Sequence, residues 1–121
     1  MKFQDINDPY ALVDSIEQFS INYNFDFLVP TLDEYRLMAY LRIAEFEIDE
    51  NNIKTSMQYL DLFEQNCKPP IEIDQLEYIA ERAYRKIAVY YFYRNKIKAK
   101  DIVNRGLLYV PNSRSIKSAV Y

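Results

Sequence analysis

Residues that interrupt helices are scarce in this chain and fall at a few places. Gly106 is the single glycine, and the five prolines stand at positions 9, 30, 69, 70 and 111. The long stretches between them tolerate helical backbone, so the chain is expected to be helices joined by short turns. With 121 residues, half of them apolar, it has material for one globular domain with a core of its own. The longest apolar run, Ile87 to Tyr93, is seven residues, far short of the ~20 that cross a bilayer. The start MKFQDINDPY lacks the basic-then-apolar pattern of an export signal. No membrane partner is expected, and a cytoplasmic location is expected for the chain as given.

Several kinds of chemistry lack their usual residues. The sequence has no histidine and one cysteine, Cys67, so a His-assisted nucleophile, an internal disulfide and a Cys/His metal site are not expected. One glycine cannot make a phosphate-cradling loop. Carboxylates such as Asp33 with Glu34, or Asp49 with Glu50, are sequence neighbours. On a helix they point about 100° apart and do not face each other as acid and base. A non-catalytic protein without cofactor or metal is therefore expected.

The chain also repeats itself. Shifted by 44 residues, AYLRIAEFEIDENNIK (39–54) lies over AYRKIAVYYFYRNKIK (83–98) with seven of sixteen positions identical, among them Tyr40/Tyr84, Ala44/Ala88 and Asn51/Asn95. A period of this size is the mark of stacked helical units. Each unit reads as a helical hairpin. The first, 31–66, opens on a Thr31-x-x-Glu34 capping box and turns at Asn51 or Asn52. The second, 74–109, opens on Asp74 and turns at Asn95, and Pro69-Pro70 lies in the linker because proline cannot continue a helix. An amino-terminal capping helix is expected over 8–22, after Asp8-Pro9. A terminal helix capped by Ser113 is expected over 113–121, as a lid or the remnant of a third unit. That makes about six helices, all-α.

On the residues Tyr90, Ala99, Val103, Gly106 and Pro111, the second hairpin resembles a tetratricopeptide repeat. In the first hairpin Phe46, Thr55 and Tyr59 stand in the same register. The resemblance implies a right-handed superhelix of antiparallel hairpins that binds protein or peptide. It implies that Ala99 and Gly106 let paired helices approach closely, and that the first helix of each hairpin lines the ligand groove. Carried over residue by residue, that groove holds Tyr40, Ala44, Glu47 and Ile48, then Tyr84, Ala88, Tyr91 and Phe92. Tyr40, Glu47, Tyr84 and Tyr91 are the candidate contact residues.

Charge is the remaining signal. Residues 1–77 carry 16 acids and 5 bases, a balance of −11, and residues 78–121 carry 2 acids and 10 bases, a balance of +8. Arg94, Lys96, Lys98 and Lys100 form a basic patch at the second turn, where a helix start gives cations no local stabilisation. A protein- or peptide-binding adaptor is the leading expectation. A self-associating module, such as a homodimer of opposed acidic and basic halves, is the alternative. A nucleic-acid-binding regulatory domain, using the basic patch with its tyrosines, ranks below both.

Overall fold

The computed structural model describes residues 9, 10, 13 and 29–120. Residues 29–120 are all-helical. Helix α1 spans Val29–Asp49, α2 Ile53–Asn66, α3 Asp74–Phe92, α4 Lys96–Tyr109 and α5 Arg114–Lys117, and a 3-10 turn closes at Ser118–Val120. No described helix is long and apolar enough to cross a membrane. Of the capping helix expected over 8–22, Pro9, Tyr10 and Val13 are helical. The rest of that expectation, like Tyr121, lies outside the described residues.

Local chemistry accounts for most of the boundaries. Thr31 is not the cap expected of it, because α1 already begins at Val29. Pro30 fits that first turn, where its missing N–H would have had no intrahelical acceptor. Asp74 is the first residue of α3 and not its cap; with Glu77 it places negative charge in the first turn, against the positive end of the helix dipole. The two turns use their equivalent asparagines differently. Asn51 adopts the left-handed conformation, with φ 62°, which asparagine tolerates better than most residues. Asn95 stays extended and its side chain accepts the Lys98 N–H, as an N-cap should. Ser113 caps α5 by accepting the Ile116 N–H at 3.1 Å.

The helices pair as two hairpins, α1 with α2 and α3 with α4, and α3 lies beside α1. On α3, Leu76, Ala80, Ala83, Tyr84, Ile87 and Ala88 are buried at helical spacing. They meet Leu41 and Ala44 of α1, Leu60 and Phe63 of α2, and Ile102 and Val103 of α4 in one core. Ile116 and Ala119 are buried too, so the terminal segment packs on its own second hairpin, against α3 and α4. Buried Ser56 donates its hydroxyl to the Ala44 carbonyl at 2.6 Å and ties α2 to α1.

Helices α3 and α4 come together where the only glycine stands. A methyl group on Gly106 would lie 2.9 Å from Cγ and 3.0 Å from Cβ of Tyr84, and Ala99, about two turns earlier on the same face, is fully buried. Alanine is the better helix former by ~1 kcal/mol. Here the clash is with the base of a ring that cannot swing aside unless α3 moves. Gly106→Ala and Ala99→Leu are therefore each expected to destabilise the domain by about 1 to 3 kcal/mol. Thermal melts of the two variants test this, and a melting temperature at or above the parent's would contradict the close seating of α4.

Candidate interaction surface

Four of the residues that line an open trough come from α1. Arg42, Glu45, Phe46 and Asp49 recur at the three- and four-residue spacing that keeps side chains on one helix face. From α3 come Tyr78, Arg82 and Lys86 on the same principle, and Ser115 and Ser118 follow from the terminal segment. The trough consists of two adjoining depressions of ≈ 550 and ≈ 470 Å³ that share Tyr78, Arg82 and Lys86. Phe46 and Tyr78 stand in it 48% and 62% exposed.

Cross-helix ion pairs form its floor. Arg82 Nη2 lies 2.7 Å from Glu45 Oε1, and Lys86 Nζ lies 2.9 Å from both Glu45 Oε1 and Asp49 Oδ2. The Arg82 guanidinium also sits 5.9 Å from the centre of the Tyr78 ring. A hydrogen bond with Tyr78, then the field and hydrogen bond of Glu45, hold Arg82 above its ordinary pKa. A hydrogen bond to Glu45 raises that of Lys86, with Asp49 adding to it. Both stay charged. Arg85 also lines the trough and is an exposed cation with no acid within ion-pair distance among the described residues.

The groove residues expected from the sequence are not on this face. Tyr84 is fully buried: its hydroxyl donates to Glu64 Oε2 at 2.7 Å, and its ring stacks with Tyr109 at 6.2 Å and meets Phe63 edge-on. Glu47 is 8% exposed; its carboxylate accepts from the Tyr10 hydroxyl at 2.7 Å and from Asn52 Nδ2 at 2.8 Å, which anchors a turn. Ala44, Ile48 and Ala88 are core residues. Tyr40 is half-buried, its ring 6.1 Å from that of Tyr59. Tyr91 is half-buried at the far end of α3, edge-on to Tyr90, and burial raises its phenol pKa.

At about 100° per residue, the trough face is turned roughly 165° around α1 and roughly 135° around α3 from the expected one. The physical reason is that the side holding Ala44, Ile48, Tyr84 and Ala88 is the side that meets neighbouring helices. Phe46 and Tyr78 were the missed residues. Their signal in the sequence was an aromatic set directly beside acids, at Glu45-Phe46-Glu47 and Glu77-Tyr78.

The four residues of the basic patch lie at the second turn and the start of α4. Arg94, Lys96 and Lys100 are exposed and Lys98 is half-buried. Part of the opposed charge of the two halves is used inside the chain. Besides the trough pairs, Arg105 forks onto Glu64 (Nη2 to Oε1 2.8 Å, Nε to Oε2 2.9 Å) and reaches Asp61 at 2.8 Å. Burial works against the charge on Arg105, but the hydrogen bonds and fields of Glu64 and Asp61 outweigh it and raise its pKa.

No family model, curated protein or solved structure matches the chain.

Burial first, then the field of Glu64 and the hydrogen bond to it, hold the Tyr84 phenol far above its ordinary value of 10.0. Below that ordinary value the folded and unfolded chains both keep the proton. Above it the unfolded chain releases the proton and the folded chain does not, so stability is lost as pH rises, by up to ~1.4 kcal/mol per unit. Tyr84→Phe should cost about 1 kcal/mol near neutrality and make the alkaline decline shallower, with Tyr109, also raised by burial, keeping part of it. Urea unfolding from neutral to alkaline pH checks this; parallel profiles for parent and variant would refute it.

Proposed function

We propose that the chain is a non-catalytic, tetratricopeptide-like adaptor that holds a protein or peptide segment in the trough across α1, α3 and the terminal segment. The observation that carries this reading is the exposure of Phe46 and Tyr78 between cross-helix ion pairs. Large aromatic side chains with a wet, mixed-charge rim are what peptide-binding surfaces offer: the rings supply contact area, and the rim fixes orientation. The first helices of both hairpins line the trough, as the resemblance implies for a ligand groove, although on a different helix face from the one it named. The partner is a protein or peptide.

A homodimer of opposed halves draws less support. Glu45, Asp49, Asp61 and Glu64 already meet Arg82, Lys86 and Arg105 within one chain.

Peptide display selection on the purified chain tests the adaptor reading. Enriched peptides are expected to lose about tenfold or more in affinity on Phe46→Ala combined with Tyr78→Ala, the size of a hot-spot loss. The fold should persist, since both side chains are exposed. A selection that enriches no peptide, or peptides that bind the double variant equally well, would remove the trough as the binding surface.

A further inference from the structure

The turn between α3 and α4 carries a second surface, independent of the trough. Tyr93 and Ile97 are 79% and 84% exposed, the most exposed large apolar side chains among the described residues. Cations flank them in the sequence: Arg94 follows Tyr93, and Lys96 and Lys98 bracket Ile97. The Arg94 guanidinium lies 3.8 Å from the centre of the Tyr90 ring and donates to the Tyr90 carbonyl at 2.8 Å. Lys96 Nζ lies 5.6 Å from the Phe92 ring centre, and Lys98 Nζ 5.9 Å from that of Tyr91. Among the described residues no carboxylate pairs with Arg94, Lys96, Lys98 or Lys100, whereas Arg36, Arg82, Lys86 and Arg105 are all paired.

The first repeat keeps only part of the tip, with Lys54 at the position of Lys98. At the 44-residue offset the positions of Tyr93, Arg94, Lys96 and Lys100 hold Asp49, Glu50, Asn52 and Ser56. Ile97 corresponds to Ile53, which is partly buried against the core. The tip also stands clear of the acidic end of the first hairpin. Lys86 pairs with Asp49, the last residue of α1, and α3 runs on to Phe92, about 9 Å further at ~1.5 Å per residue.

We infer that this prong is a docking point for an acidic protein segment with apolar side chains set among its carboxylates. The unpaired cations supply charge complementarity, and Tyr93 and Ile97 supply apolar contact at their centre. Single-stranded nucleic acid fits less well. It stacks bases on open rings, and of the four rings of the tip Tyr90, Tyr91 and Phe92 already carry a cation on one face, which leaves Tyr93 alone open. A flat anionic bilayer pressed on the tip would also meet exposed Asp101, beside Lys100. A narrow peptide follows the cations and avoids this acid.

The test is fluorescence anisotropy of a labelled synthetic peptide alternating Glu with Leu and Phe, against the same peptide with Gln for Glu. The parent chain is expected to bind the acidic peptide at low salt, more weakly at high salt, and to ignore the Gln peptide. Lys96→Gln with Lys98→Gln, and separately Tyr93→Ser with Ile97→Ser, should each weaken binding about tenfold, with helical circular dichroism unchanged. Tyr78→Ala, in the trough, should leave it intact, which separates this surface from the first. Absence of binding at low salt, or affinity unaltered in both tip variants, overturns the inference. So does tighter binding of single-stranded poly(U) RNA or of phosphatidylserine vesicles than of the acidic peptide.

Discussion

The Tyr84 phenol lies where α2, α3 and α4 meet, and the relative placement of the two hairpins depends on how it is satisfied there. A buried hydroxyl without a partner is costly, and this one donates to Glu64 of α2. Glu64 in turn accepts both arms of the Arg105 fork from α4. Gly106 follows Arg105 directly, and its lack of a side chain lets α4 come against the Tyr84 ring. One turn of α4 thus supplies both the space for the ring and the cation for its carboxylate. Tyr109, a turn later, stacks on the same ring and offers its hydroxyl to the Glu64 and Cys67 carbonyls at the end of α2. Carbonyls at that place have no partner inside their own helix.

This junction also explains why two identical tyrosines of the repeat serve different ends. Tyr84 has the α2 helix of the preceding hairpin against it. Tyr40 stands in the first hairpin, with no such hairpin before it among the described residues, and is half-buried beside Tyr59. A duplicated sequence carries over residue types but not their neighbours. The charge asymmetry between the halves is resolved in the same way: acids of α1 and α2 face bases of α3 and α4 across the hairpin boundary. Arg82, Lys86 and Arg105 thereby form a seam within one chain. The basic tip at Arg94 to Lys100 lies beyond the reach of that seam.

How much of this could be read from the residues follows from the range of each interaction. The helices, the Asn95 and Ser113 caps, the Pro69-Pro70 linker and the 96–109 helix were legible because capping and proline geometry act over three or four residues. The close approach at Ala99 and Gly106 was legible through the resemblance, and the buried alanine and the ring against Gly106 agree with it. Thr31 misled because a capping pattern says nothing about a proline just before it that can itself open the helix.

The proposed binding face is where sequence reasoning ended. Composition and periodicity determine that the chain is helical, that its units recur every 44 residues, and which side chains are apolar enough to seek burial. They do not determine which face of a helix meets its neighbour, because the face of Tyr40 and Tyr84 and the face of Phe46 and Tyr78 both carry aromatics. That choice was made by tertiary packing. The small side chains Ala44 and Ala88 admit neighbouring backbones, so their stripe, with Tyr84, became core, and Phe46 and Tyr78 were left in the open trough.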